Sequence, residues 1–215
     1  MQPIKQKRNH VRVNALEKRI VELSYRHGLT HVSSCLNCVN LIDAIYEKRN
    51  DYEPFVLGNG HAALALYVVL EKHGLCDAEE MVNKHGTHAS RDMEHGIWCS
   101  GGSLGQPETV AVGFALADSK RKVWLVTSDG GCMEGAVYEA FRVAAKHCPN
   151  LQIYIVFNGL GAYGKIEHHD LPRLQGQYMF HTVDQNDYPP FLRGLEGHYI
   201  KLNQQQYEEL MNERV

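Results

Sequence analysis

Apolar positions in this chain follow two spacings, and the change from one to the other marks out its elements. Over residues 13–27, Leu16, Ile20, Leu23 and Ser24 recur on one helical face. Over 37–49, Val39, Leu41, Ile42, Ala44 and Ile45 do the same. Helical spacing returns at 61–74, briefly at 77–85, then at 105–118 and 133–147. Three stretches hold compact apolar runs instead: 55–57, 122–128 through Val123 to Thr127, and 151–157 through Ile153 to Phe157. Such runs fit strands buried on both faces of a parallel sheet. A loop rich in His, Gly and Ser fills 86–104. Further on, Asp184 to Pro190 reads as a turn, 199–202 as a last strand and 204–214 as a polar helix. Strands alternating with helices predict an α/β fold, a mostly parallel sheet with helices on both faces.

The second and third apolar runs and the helix between them form one βαβ unit. It places Asp129 at the carboxyl end of its first strand and Asn158 at the end of its second. Ligands of open parallel sheets bind at these ends. A carboxylate and an amide there offer the oxygen donors that a hard cation needs, and the cation can bridge to a diphosphate. Gly130 and Gly131 leave room for a phosphate to approach backbone N–H groups at a helix start. Taken alone, the pattern reads first as an Asp that caps the next helix.

Composition narrows the classes. The 215 residues suggest a single domain, and the net charge of −3, with signs mixed, selects neither nucleic acid nor membrane as a partner. No signal peptide or long apolar stretch is visible, so the cytoplasm is expected. The six cysteines read as reduced thiols, and Cys35 and Cys38 as packing residues rather than a redox or zinc pair. Lys5, Lys7, Arg8 and Arg12 form a basic arm over 1–12, read as solvated or as a contact between subunits.

Several segments share one resemblance. Asp129-Gly130-Gly131-Cys132-Met133-Glu134-Gly135, with Asn158 downstream and Glu139-Ala140 in the following helix, resembles the diphosphate motif of the transketolase family. Its usual first glycine is Ser128 here. Gly58-Asn59-Gly60-His61 resembles that family's strand-ending Gly-His, and Gly101-Gly102-Ser103-Leu104-Gly105-Gln106 resembles its Gly-Ser/Pro-Leu-Gly-Gln loop. His31 stands where the family has Gly-His-Pro-Gly, without the flanking Gly and Pro, and His88 resembles a third histidine. The resemblance covers roughly 25–165; residues 184–215 form a divergent C-terminal appendage.

The resemblance implies a thiamine diphosphate-binding fold. It implies Mg2+, with Ca2+ as the alternative, held by Asp129, Asn158 and the Leu160 carbonyl. Thiamine diphosphate would be bound by His61, Ser103, Leu104, Gly105, Asp129, Gly130, Gly131, Asn158 and Leu160. His31, His61 and His88 would act on substrate oxygens, and Glu134 would connect two active sites across an interface between subunits. As bare residues, the histidines fit surface or hydrogen-bonding roles equally, and an acid at 134 suits a helix start. His95, His168, His169 and His181 have no comparable context. The implied activity is ketol transfer between sugars or sugar phosphates. The pyrimidine-binding part of a transketolase is missing, so an α2β2 assembly with a separate C-terminal-type subunit is expected. Two other readings stand beside it. One is an alpha-type subunit of a 2-oxo-acid dehydrogenase, faintly suggested by Gly161-Ala162-Tyr163-Gly164; the other is a cofactor-binding scaffold without catalysis.

Overall fold

A computed structural model describes residues 14–161, 164–171 and 178–212. The basic arm, Ala162 and Tyr163, and the end of the expected 204–214 helix lie outside them. Helix α1 (Ala15–His27) opens with a capping box, Asn14 and Glu17 each satisfying the other's backbone N–H, and closes on left-handed Gly28. Helix α2 (Val32–Tyr46) begins five residues before the expected 37. Its N-cap is His31 in a left-handed conformation (φ 66°) with no side-chain cap, so none of the usual start signals marks it.

Strand β1 (Phe55–Leu57) runs through a 3-10 turn into α3 (Ala63–Lys72), then α4 (Ala78–His85) and α5 (Gln106–Ala117). The βαβ unit comprises β2 (Val123–Ser128), a one-turn helix α6 (Asp129–Cys132), α7 (Gly135–His147) and β3 (Leu151–Phe157). A small hairpin, β4 (Leu160–Gly161) with β5 (Gly164–Lys165), leads on to β6 (Tyr178–Thr182), α8 (Gly194–Tyr199) and α9 (Gln204–Asn212).

The main sheet has the order β1-β2-β3-β6, every pairing parallel. Successive strand residues feed opposite cores. Trp124 and Val126 pack with α1–α4, while Val123 and Leu125 pack with α5 and α7. The expected layering, helices on both faces, is thus observed. The fourth strand differs from expectation: it is β6, and 199–202 is not a strand. Ile200 and Leu202 do bury against the α1–α4 core, but in an extended connection without a ladder. β6 is a half-exposed edge strand, and its Tyr-Met-Phe-His-Thr sequence lacks a continuous apolar run. The C-terminal segment packs back on the molecule, α8 on α2 and α9 on α1.

Candidate active site at the strand carboxyl ends

The carboxyl ends of β1, β2 and β3 open onto a cavity of about 200 Å³. Asp129, 1% exposed, lies on one side. Its Oδ1 accepts the Gly130 N–H (2.9 Å); its Oδ2 accepts those of Asn158 (2.9 Å) and Gly159 (2.7 Å). The carboxylate therefore ties the end of β2 to the end of β3. Capping of α6 falls to Ser128, whose Oγ accepts the Gly131 N–H at 3.1 Å. The residue that departs from the family pattern is the cap, and Asp129 is freed from that role. Burial raises the Asp129 pKa against the opposing pull of these N–H groups. Asn158 Oδ1 accepts the Leu160 N–H at 2.9 Å, which folds the β4 turn toward Gly130.

Four histidines converge opposite. His31 lies 5.1 Å from His61, 6.4 Å from His88 and 4.5 Å from His198, ring centre to ring centre. The His31 N–H donates to the His198 carbonyl (3.0 Å), and its Nδ1 meets Thr30 Oγ1 at 2.6 Å. Ser34 Oγ holds His198 Nδ1 at 3.1 Å. Burial, reinforced by neighbouring imidazoles, lowers His31 to about 4 and His61 to about 3; burial also lowers His198. All three are neutral at physiological pH. The turn carrying His61 packs against the loop carrying His88. A Cβ on Gly60 would lie 2.7 Å from Gly101 Cα, so only glycine permits this approach.

His31, His61, His88, Leu104, Asp129, Gly130, Asn158 and Leu160 thus line one cavity. Ser103, Gly105, Gly131 and Glu134 do not line it. Gly105 is the left-handed N-cap of α5 (φ 86°), and Gly131 sits against Thr127 and Glu108. Glu134 is the N-cap residue of α7 and rests on Gly105. The cavity is also lined by His198 and Tyr199, which α8 delivers from the poorly matched C-terminal segment, and by Asn37 and Asn59, none of which the sequence motifs mark. Cys35 and Cys38 are buried, and burial pushes the Cys35 thiol up to about 12, as suits packing residues. His95 lies elsewhere, with Asp92 and Glu94 in a grouping spaced to hold a metal. Asp92 Oδ2 there already accepts from Lys84 (2.7 Å), His85 (3.1 Å) and His95 (2.9 Å). Among the described residues, no helix is long and apolar enough to cross a membrane.

No family model matches the chain. Among curated proteins, an apulose-4-phosphate transketolase subunit from Phocaeicola vulgatus is 32% identical over 171 residues, covering 70% of this chain and 60% of that protein. The 6-deoxy-6-sulfo-D-fructose transketolase subunit of a Clostridium species is 29% identical over 151 residues, covering 61% of this chain and 55% of its own length. A transketolase of Pongo abelii is 26% identical over 182 residues, of which this chain covers 28%. The chain spans three-fifths or less of each of these relatives. With the strand-end carboxylate and the histidine cluster in one cavity, these similarities relate the chain to the transketolases, including two that are named as subunits.

Proposed function

We propose that this chain is the diphosphate-binding subunit of a two-chain, thiamine diphosphate-dependent transketolase-like transferase acting on sugars. One observation carries the reading: the buried Asp129 carboxylate, joining two strand ends, faces His31 and His61 across a single cavity. The site fits the group. Asp129, Asn158 and Leu160 supply only oxygen donors, which suits Mg2+ and, with looser geometry, Ca2+. A carboxylate has about four lone-pair sites, and Asp129 uses three on N–H groups, leaving one for a cation. Gly130, with no side chain, borders the same space.

Thiamine diphosphate, when bound, supplies an electron sink for a two-carbon unit. The chain's own residues orient the sugar and move protons. With Nδ1 engaged by Thr30, neutral His31 presents Nε2 to substrate oxygens. His61, His88 and His198 complete a ring that can both donate and accept. Glu134, outside the cavity, is assigned to the contact with a further subunit.

Two of the relatives above are named for a sugar phosphate and a sulfo-sugar. No Lys or Arg lines the cavity among the described residues. We therefore assign any anionic end of the substrate, with the pyrimidine half of the cofactor, to a separate subunit in an α2β2 complex. Six free thiols fit a cytoplasmic setting. The relatives favour this reading over a 2-oxo-acid dehydrogenase subunit or an inert scaffold. The test is reconstitution with a pyrimidine-binding subunit, thiamine diphosphate and Mg2+. Ketol transfer is expected from the mixture and from neither chain alone; full turnover by this chain by itself would refute the proposal.

A further inference from the structure

Helix α2 is buried along nearly its whole length, yet it turns a polar row toward the cavity. Ser34 and Asn37 follow the N-cap His31 at intervals of three, down one helical face, and all three line the cavity. Ser34 is satisfied by His198. Asn37 is not: it is 3% exposed, and neither Oδ1 nor Nδ2 has a hydrogen-bond partner among the described residues. Asn59, just past the end of β1, lines the same cavity at 2% exposure, and its Oδ1 is likewise unmet. Asn40, also on α2, shows the usual outcome: its amide bonds both Asn14 and Glu17.

Buried amides are nearly always paired, because an unmet donor or acceptor carries its full desolvation cost. Turning the Asn37 amide over changes nothing, since both of its polar atoms lack partners. The two amides also define the chemistry of what they meet. The Asn37 oxygen calls for a donor and its NH2 for an acceptor, and the Asn59 amide adds one more unmet polar atom. Phosphate, sulfonate and carboxylate offer only acceptors when ionised. Adjacent hydroxyl groups offer both.

We propose that Asn37 and Asn59 form a subsite that binds adjacent hydroxyls on an uncharged segment of the substrate. The sugar's role there rests on the ketol-transfer reading above, but its binding needs no chemistry and is measurable separately. Asn37→Leu approximates the side-chain shape and removes both amide atoms; Asn37→Ser, which keeps one small hydroxyl, stands in if the first fails to fold. D-Xylulose binding to the chain is followed by saturation-transfer NMR. KM, kcat, thiamine diphosphate affinity and Tm are measured on the two-chain holoenzyme. The expected result is D-xylulose affinity weakened about tenfold and KM raised to match, roughly two lost hydrogen bonds. Thiamine diphosphate affinity stays unchanged, and the Tm of Asn37→Leu is equal or higher, because an unmet buried amide has gone. Unchanged D-xylulose binding and KM with a lowered Tm would overturn the subsite and make Asn37 the anchor of a buried structural water. D-Xylulose binding that depends on Asn37 in an enzyme with no ketol transfer would uphold the subsite while removing the proposed function.

Discussion

Asp129→Asn separates the two tasks assigned to this carboxylate. In the native chain, Oδ2 accepts two backbone N–H groups and Oδ1 accepts one. An asparagine of the same shape keeps its oxygen where two are accepted and presents an NH2 to the Gly130 N–H, losing one bond. Leaving one buried donor unmet costs about 1–3 kcal/mol. At this chain length each kcal/mol moves Tm by about 2–4 °C, so a measurable but survivable drop follows. The substitution also removes the only anionic ligand assigned to the cation. Losing outer partners of metal ligands typically costs about 10–100-fold in affinity, and losing the ligand's charge should cost at least as much. Titration calorimetry with thiamine diphosphate and Mg2+ on the folded variant, with its Tm from the same preparation, measures both effects. A folded Asp129→Asn protein that binds the cofactor as tightly as wild type would refute the assigned cation site.

The histidine cluster predicts acid sensitivity. His31 and His61 have folded-state pKa values near 4 and 3 against an ordinary 6.5, so between these values the unfolded chain binds more protons. Stability present above about pH 6.5 should fall as pH drops toward 4, by a few kcal/mol to order of magnitude from the largely buried His61 and by less from the half-buried His31, whose charge water screens. Urea unfolding at pH 7.5 and 5.0 checks this; His61→Asn should flatten the slope, and an unchanged slope would contradict the burial argument. Gly60→Ala would press a methyl against the Gly101 backbone. It should cost about 1–3 kcal/mol and part the His61 turn from the His88 loop, seen as a lower Tm and altered imidazole resonances. A Tm equal to wild type would show the approach to be slack.

The fold was legible where burial is complete. β1, β2 and β3 are continuous apolar runs because helices cover both faces, and their boundaries came within a residue of those observed. β6 escaped because its residues are only half buried and polar ones stand among them, whereas β1, at the opposite edge of the sheet, is buried throughout. The 199–202 segment misled for the opposite reason: Ile200 and Leu202 are apolar because they pack on the core, and packing does not require a ladder. At the site, Asp129, Asn158, His31 and His61 were legible because strand ends and short motifs fix them locally. His198 and Asn37 were not, since their place in the cavity depends on how α8 closes on α2, a contact between segments 164 residues apart at Ser34–His198. Ser128, standing where the family motif has glycine, performs the cap, so that Asp129 can reach β3.

On this reading the strand-end cavity holds the cation and diphosphate of the cofactor. The most direct measurement is anomalous diffraction from crystals of the two-chain complex grown with thiamine diphosphate and Mn2+ in place of Mg2+. One manganese peak is expected in that cavity, ligated by Asp129, Asn158 and the Leu160 carbonyl. A cofactor-bound complex whose manganese sits instead among Asp92, Glu94 and His95, with the strand-end cavity empty, would contradict it.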